Sequence, residues 1–258
     1  MKKFALGMLA AVAMTGSAFA ADMAPRYTKA PPAPVVVYSW TGCYIGGNIG
    51  GGWERTRQTQ IGKVGGPAII PNNDFGSSDG SDFVGGGQIG CDYQFANNFV
   101  IGIQGMYDYA RIDSSHIVPA FPAFTSNVRV KDMWTATGRI GYLFTPQLLG
   151  YVKGGGAWTS VDYVINGNGP PVFNSENAFG SNRSGWTVGG GLEWMFAPGW
   201  SVFGEFNYMD FGTKDVNFVT APGAVGAPDV LRTKLEIEQF LVGVNYKFNF
   251  GGPVVAKY

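Results

Sequence analysis

The ionisable residues of this sequence that could act together lie at regularly spaced positions, in segments where polar and apolar side chains alternate. Successive side chains of a β-strand point to opposite faces of a sheet, so the polar residues of each such segment share one face. That face collects four carboxylic acids, three bases and one amide: Asp92, Gln104, Asp108, Arg139, Lys153, Glu193, Glu205 and Lys247. Buried charges must pair, because an unpaired buried ion costs several kcal/mol. The pattern predicts either a plug of salt bridges or a polar path for ions.

Catalytic chemistry has one candidate cluster. His116, the only histidine, follows Asp113, Ser114 and Ser115. A histidine with a carboxylate and a hydroxyl can carry out acyl transfer when the three groups have the right geometry. Short polar residues are also typical of any exposed connection between strands. We therefore predict that the protein is not an enzyme, and no motif in the sequence calls for a cofactor or a metal ion.

The elements that must hold these side chains are marked by three aromatic pairs with a spacing of ten residues: Trp134 with Phe144, Trp186 with Phe196, and Phe240 with Phe250. An even spacing puts both rings on the same face of a strand. Ten residues of a tilted strand span roughly 25 Å, the height of the apolar band on a transmembrane β-barrel. Aromatic rings favour both edges of such a band. Together with Trp200, these residues predict the aromatic girdles of a membrane-spanning barrel.

Short and long connections alternate along the chain. Tight turns rich in Pro, Asn or Gly are predicted at residues 96–98, 145–147 and 197–199. Longer polar or Gly/Pro-rich connections are predicted near residues 55–80, 112–127, 163–183 and 212–232. Seven connections join eight strands, which we place at residues 40–54, 81–95, 99–111, 128–144, 148–161, 184–196, 200–211 and 233–250.

This alternation predicts the fold class: all-β, an eight-stranded antiparallel transmembrane β-barrel. Short turns in the periplasm and long loops outside the cell are the pattern of an outer-membrane barrel. An even number of strands leaves both termini in the periplasm. Because a barrel of eight strands is just wide enough for its inward side chains to fill it, the plug is favoured over the ion path.

The N-terminus is predicted to be an export signal. Lys2 and Lys3 precede an apolar run at residues 4–14, and Ala18 and Ala20 form a small-residue cleavage site. The predicted organisation is a signal peptide at 1–20, a Pro-rich periplasmic leader at 21–39, the barrel at 40–250 and a C-terminal tail at 251–258.

Charge and cysteine content restrict the partners and the chemistry further. Without Lys2 and Lys3, 16 of the 18 basic residues remain against 18 acidic ones, a balance that argues against a nucleic-acid partner. The only cysteines are Cys43 and Cys91. In an exported protein, an even pair more often forms a disulfide than a metal site, and both residues have outward parity near the periplasmic ends of neighbouring strands. The alternative is two free thiols that face lipid and behave as small apolar groups.

Four stretches carry a resemblance to a known family: Ala21–Ala24 with the Pro-rich segment after it, Cys43–Asn48, Gly185–Trp194 and Tyr246–Pro253. Over essentially the whole mature chain, the sequence resembles the alphaproteobacterial outer-membrane immunogenic protein family. That family belongs among the small eight-stranded barrels similar to OmpA and OmpX. One departure is that eight residues follow Phe250, so the terminal aromatic insertion signal is either Phe250 or Tyr258.

The resemblance implies a location and a range of functions. It implies a barrel in the outer membrane, in contact with lipid and lipopolysaccharide, that acts as a surface antigen or an envelope-stabilising protein. Some relatives bind haemin, which makes His116 a weak candidate for an axial haem ligand. Apolar segments at residues 119–124 and 219–225 suggest host or envelope protein partners, and they could equally pack over the barrel mouth or against lipopolysaccharide. The expected function is therefore envelope integrity and surface interaction through four extracellular loops, and the alternative is a narrow pore for ions or small solutes.

Overall fold

A computed structural model describes residues 38–167, 175–220 and 227–248 of the chain. The predicted signal peptide, nearly all of the predicted leader, Phe250 and the C-terminal tail lie outside the described residues. None of the described residues belongs to a helix long and apolar enough to cross a membrane.

The described part of the chain forms a single antiparallel sheet of eight long strands and one short strand. The short strand, β8, pairs with the start of β6, where Thr220 lies opposite Glu176. The strands are β1 (Gly42–Lys63), β2 (Ala68–Gln94), β3 (Phe99–Ile117), β4 (Phe124–Thr145), β5 (Leu148–Gly167), β6 (Glu176–Ala197), β7 (Trp200–Asn217), β8 (Val219–Thr220) and β9 (Asp229–Phe248).

The sheet closes on itself. Each long strand pairs with the long strands before and after it in the sequence, and β9 pairs with β1, where Cys43 lies opposite Phe248. This arrangement leaves no free edge among the eight long strands, so their backbone groups pair around the ring. The prediction of an all-β, eight-stranded antiparallel barrel is therefore confirmed.

Three tight turns join the strands at one end of the barrel. In the first, Asn98 has a φ of 67°, a left-handed conformation that asparagine tolerates. In the second, the Thr145 hydroxyl accepts hydrogen bonds from the backbone N–H groups of Gln147 and Leu148. In the third, Gly199 has a φ of 80°. These turns lie where the Pro, Asn and Gly residues of the sequence predicted them.

The strands at the opposite end are longer than predicted. Most of the residues assigned to the four long loops continue the strands, and two of the connections shrink to residues 64–67 and 118–123, while the other two include residues outside the described ranges. In β1, pairing continues for ten residues beyond Trp53, to Lys63. Both faces of this extension are polar, so the alternation of polar and apolar residues that marks a membrane strand is absent there.

The outer surface of the barrel carries an apolar band with aromatic residues at both edges. The six described residues of the predicted girdles all point outward and are 44% to 63% exposed: Trp134, Phe144, Trp186, Phe196, Trp200 and Phe240. Rings on adjacent strands also contact each other at both edges. The ring centroids of Tyr107 and Trp134 lie 4.4 Å apart at one edge, and those of Trp200 and Tyr246 lie 4.9 Å apart at the other.

The inner surface changes in character along the barrel axis. Charged and polar side chains fill the end nearest the tight turns. Above them lies an apolar cluster of buried side chains that includes Met106, Met209, Leu235 and Ile237. This cluster continues into the strand extensions, where the polar residues Thr56 and Gln58 are buried beside it and Thr56 lies opposite Leu235.

Candidate functional site

The first part of the charged interior is a chain of ion pairs that crosses the barrel between β2, β4, β6 and β9. Arg139 is its centre, because its Nε donates to Asp92 Oδ1 at 2.8 Å and its Nη1 donates to Glu193 Oε2 at 3.0 Å. Lys247 Nζ donates to the other oxygen of Asp92 at 2.5 Å. All four side chains are at most 1% exposed. Such burial is tolerated because each charge has an opposite charge within hydrogen-bonding distance.

The second oxygen of Glu193 extends this chain to β7 and makes a further contact with β9. Glu193 Oε1 accepts hydrogen bonds from Ser201 Oγ at 2.6 Å and from Asn245 Nδ2 at 2.9 Å. Asn245 Oδ1 then accepts a hydrogen bond from Gln88 Nε2 at 2.7 Å. Both oxygens of the Glu193 carboxylate are therefore used.

A second group of ion pairs is centred on Glu205. Lys153 Nζ donates to Glu205 Oε1 at 2.6 Å and to Gln104 Oε1 at 3.0 Å. The Tyr151 hydroxyl donates to Glu205 Oε2 at 2.8 Å, and Asn207 Nδ2 donates to Oε1 at 2.9 Å. Lys153 points inward, and its charge is compensated within the barrel.

Asp108 is the one acid of the predicted set without an ion pair among the described residues. Gln239 Nε2 donates to its Oδ2 at 3.2 Å, and the whole residue is buried. The other six charged residues of the set balance, with Arg139, Lys153 and Lys247 against Asp92, Glu193 and Glu205. The structure thus brings seven of the eight predicted residues into two connected groups and leaves Asp108 on a separate contact.

Aromatic rings pack between the charged groups of the interior. The Arg139 guanidinium carbon lies 4.9 Å from the ring centroid of Tyr44 and 5.0 Å from that of Tyr151. Lys247 Nζ lies 5.2 Å from the ring centroids of both Trp40 and Tyr44. These cation–π contacts fill the space beside the ion pairs with bulky side chains.

Trp40 closes the end of the barrel that carries the tight turns. It lies before β1 and is fully buried, in a small cluster with Leu143, Leu149 and Met195. Its indole N–H donates to the carbonyl oxygen of Pro146 at 3.1 Å, and its backbone N–H donates to Gln94 Oε1 at 3.0 Å. The segment before the first strand is therefore fixed inside the barrel mouth.

Glu54 is a buried carboxylate in the strand extension, one residue beyond the outward-facing Trp53 and outside the apolar band. Burial raises the pKa of Glu54 to about 8, the neighbouring Ser114 hydroxyl lowers it, and the nearby Asp79 carboxylate raises it. The Thr56 hydroxyl also donates to Glu54. The carboxyl group of Glu54 is therefore stable in its protonated form at neutral pH.

The cluster around His116 lies in β3 and not in a loop as predicted. Strand alternation separates its members, since Asp113 and Ser115 are exposed on the outer face while Ser114 is buried on the inner one. Asp113 pairs with Arg129, and His116 Nε2 lies 2.5 Å from the carbonyl oxygen of Phe75. His116 and Asp113 therefore do not form a catalytic pair.

His116 also offers little to a haem iron. Its Nε2 is engaged by the Phe75 carbonyl oxygen, and its Nδ1 is buried without a partner among the described residues. An axial ligand needs an accessible, unprotonated nitrogen with space for the porphyrin in front of it. In the described residues, no group of three or more His, Cys, Asp or Glu is arranged to hold a metal ion.

The two cysteines lie opposite each other on β1 and β2 and are joined by a disulfide. The Cys43 and Cys91 Cα atoms are 3.9 Å apart, and the two residues form a register pair of the sheet. Both positions are on the outer face near the tight-turn end of the barrel. The bridge therefore connects the first two strands without entering the interior.

A closed antiparallel barrel with an apolar outer band, aromatic residues at both edges of the band and an ion-paired interior defines an integral protein of the bacterial outer membrane. The chain belongs to the family described as the outer membrane protein beta-barrel domain, whose model matches residues 7–248. The apolar band therefore lies in the outer membrane, in contact with its lipid.

Individual relatives agree with this family. The chain is 30% identical over 254 residues to the 31 kDa outer-membrane immunogenic protein of Brucella melitensis, covering 96% of this chain and all of the relative. It is 28% identical to the 25 kDa outer-membrane immunogenic protein of the same organism, covering 96% and 99%. Among solved structures, the outer membrane protein OprG of Pseudomonas aeruginosa matches with a TM-score of 0.46 and 14% identity, covering 83% of this chain and 99% of OprG.

Sequence reasoning missed several residues of the interior. The predicted first strand begins at Trp40, but this residue lies before the strand and turns inward. Tyr44 and Tyr151 lie at strand positions whose side chains point to the polar inner face. An aromatic residue at such a position is the signal that could have revealed the cation–π contacts. Glu54 shares the inward parity of Tyr44, but it is the last residue of the predicted first strand and adjoins a predicted loop, so its burial was not expected.

Proposed function

We propose that the protein is a structural and surface component of the outer membrane, which supports envelope integrity and presents its extracellular strand extensions for interaction. The observation that carries this proposal is the filled interior. Two ion-paired groups and Trp40 occupy the periplasmic end, and the apolar cluster occupies the middle. A filled barrel offers its outer surfaces, rather than a passage, for function.

The extracellular tip supports a role in surface interaction. Val219 lies opposite Asn177 in the sheet, and Phe179 is two residues further along the same strand and on the same face. Such diagonal neighbours are close enough to form one surface. Phe179 is 66% and Val219 63% exposed. An apolar patch of this kind, outside the membrane band, fits a host or envelope protein partner, or lipopolysaccharide.

Single-channel recording tests the closed interior. The refolded protein in a planar bilayer is expected to give no stable conductance steps, whereas a porin recorded under the same conditions gives them. Folding is checked beforehand by the shift in gel mobility on heating. Reproducible steps from correctly folded protein would overturn the closed barrel and support the alternative of a narrow pore along the polar interior.

Complementation separates the two parts of the proposed function. A strain that lacks the gene is tested for sensitivity to detergent and for adhesion to host cells, with wild-type protein or with Phe179→Ser and Val219→Ser combined. The double variant is expected to restore detergent resistance and not adhesion. If it restores both, the patch is not the interaction surface; if wild type restores neither, the proposed function is wrong.

Deleting the connection near residues 118–125 is a poor test of this surface role, because both ends of the segment pack against the core although residues 119–123 are exposed. Val118 is buried in the apolar cluster, Phe124 packs against that cluster, and the Phe121 ring contacts Phe75. Such a deletion would disturb the fold together with any binding surface.

Haemin binding stays a minor alternative. It is tested by a spectroscopic titration of haemin into wild-type protein and His116→Ala. Equal affinity of the two proteins would exclude His116 as the ligand, which is the result expected from the contact between His116 and Phe75.

A further inference from the structure

A cavity of about 270 Å³ lies at the extracellular mouth of the barrel. It is bordered by the end of β1, the start of β2, the connection between β3 and β4, the end of β5 and the starts of β6 and β9. None of the ion-paired groups described above belongs to it, and it shares only apolar side chains such as Phe75 with the buried cluster. The size is just below the range of about 300–1,000 Å³ that is typical of sites for drug-sized ligands.

One side of the cavity is aromatic and apolar. The rings of Phe75 and Phe121 meet edge to face with centroids 5.9 Å apart. Phe124 and Ile165 complete this wall, and Phe75 and Ile165 belong to the buried apolar cluster of the barrel. The wall is therefore fixed by the core, and it can take up the apolar body of a small molecule.

The other side of the cavity carries a preorganised polar group around Asp229. Lys63 Nζ and Gln60 Nε2 both donate to Asp229 Oδ1 at 2.7 Å. Asn73 Nδ2 donates to Gln60 Oε1 at 2.7 Å, which holds the amide of Gln60 in position. Lys63 thus compensates the charge of Asp229.

Glu176 is the carboxylate that has no such compensation. It is 6% exposed, and its Oε2 accepts a hydrogen bond from the backbone N–H of Asp229 at 2.7 Å. Among the described residues, no lysine or arginine lies within ion-pair distance of Glu176. The pKa of Glu176 is raised by its burial and by the nearby Asp229 carboxylate, and the Asp229 backbone hydrogen bond and the more distant Lys63 ammonium group offset only part of this rise. When Glu176 is ionised, the two carboxylates and the Lys63 ammonium group give the cavity a net charge of one negative unit.

We propose that this cavity binds a small organic monocation, in which an ammonium group pairs with Glu176 and an aromatic or apolar body packs against Phe75, Phe121 and Phe124. A cation supplies the charge that the buried Glu176 carboxylate lacks. The aromatic rings favour a cation further, because the face of a ring is electron-rich. A neutral molecule would leave Glu176 unpaired, and an anion would be repelled by both carboxylates.

The site is tested with three probes that share one apolar body and differ in charge: phenethylammonium, 2-phenylethanol and phenylacetate. The full mature chain is refolded in detergent, and binding is followed by ligand-observed NMR and calorimetry, with empty micelles as the blank. Phenethylammonium is expected to bind at least about tenfold more tightly than 2-phenylethanol, and phenylacetate is expected not to bind.

Two variants change the cavity charge in opposite directions. Glu176→Gln removes the uncompensated charge and is expected to reduce phenethylammonium binding at least about tenfold, without changing 2-phenylethanol binding. Lys63→Met makes the cavity more negative and is expected to strengthen phenethylammonium binding. Glu238→Gln, which removes an exposed carboxylate on the outer face of the barrel, is the matched control and is expected to bind as wild type does.

The outcomes distinguish a cation site from a cavity that only takes up apolar molecules. Equal binding of the three probes would reduce the cavity to an apolar surface, and absence of phenethylammonium binding would remove the site. Unchanged binding in Glu176→Gln would also overturn the proposal. If Glu176→Gln does not fold, Lys63→Met still decides the question, because Lys63 is half exposed and its loss must strengthen cation binding. None of these results depends on whether the interior conducts.

Discussion

Lys247 Nζ donates a hydrogen bond to the carbonyl oxygen of Trp40 at 2.8 Å, which ties the last strand of the barrel to the residue ahead of the first. The same ammonium group pairs with Asp92. Trp40 also contacts the turn between β4 and β5 through the carbonyl oxygen of Pro146. The periplasmic mouth is thus closed by Trp40, whose backbone contacts the last strand and whose side chain contacts the turn between β4 and β5.

We predict that Trp40→Ala opens this mouth. Removing the ring creates a space beside Lys247 and Tyr44, into which water can enter, and should cost about 3–5 kcal/mol of stability. Single-channel recordings are expected to show brief conductance steps that wild-type protein lacks. Trp53→Ala, which removes a lipid-facing tryptophan of the outer band, is the control and should stay silent. Silent traces from a folded Trp40→Ala barrel would show that the ion pairs alone close the interior.

The buried ion pairs are predicted to contribute strongly to the free energy of unfolding, because each buried charge needs its partners for compensation. In Glu193→Gln, Arg139 loses one of its two carboxylate partners. Only Asp92 remains, which Arg139 already shares with Lys247. Breaking a buried ion pair in this way typically costs about 3–5 kcal/mol. The midpoint of urea unfolding in lipid vesicles is expected to fall accordingly.

The matched control for this prediction is an ion pair at the surface. Arg55 and Asp79 are 68% and 71% exposed, so Asp79→Asn should cost no more than about 1 kcal/mol. If Glu193→Gln and Asp79→Asn have similar effects, the interior network does not stabilise the barrel in the way that its geometry indicates.

The membrane part of the fold could be predicted from the sequence because lipid imposes a strict pattern. In strands such as β9, Phe240, Val242 and Val244 face outward while Gln239 and Asn245 face inward. This period of two identifies both the strand and the direction of each side chain. The prediction of inward charged residues rested on the same parity.

The extracellular part could not be predicted in this way. Arg55 and Arg57 on the outer face of β1 alternate with Thr56 and Gln58 on the inner face, so both faces are polar and the period of two is lost. Strand pairing continues there because the ladder from the membrane part fixes the register of the chain. The cavity at Glu176 depends on contacts among six separate elements, which no local pattern in the sequence encodes.

The disulfide between Cys43 and Cys91 gives a prediction about unfolding. The bridge closes a loop with a sequence separation of 48 residues. Restricting a loop of that length in the unfolded chain corresponds to about 4 kcal/mol in the chain-entropy model. Reduction, or Cys43→Ser with Cys91→Ser, is expected to lower the urea midpoint while the folded barrel still forms, because strand pairing alone holds β1 beside β2.

Thiol labelling of unfolded, unreduced protein should find no reactive cysteine, and labelling of two would contradict the bridge.

Glu54 is predicted to make the barrel less stable as the pH rises. In the unfolded chain, Glu54 loses its proton near pH 4.5, whereas in the folded protein the pKa is raised to about 8 by burial. Between these values the folded state binds more protons than the unfolded state, so the free energy of unfolding decreases with increasing pH, by up to a few kcal/mol.

Glu54→Gln keeps the shape of the side chain and cannot ionise. It is therefore expected to match wild type at pH 4 and to exceed it in urea midpoint at pH 8.5, while Glu238→Gln follows wild type at both values. If the wild-type and Glu54→Gln midpoints run in parallel across this range, Glu54 is not held in its protonated form by the fold.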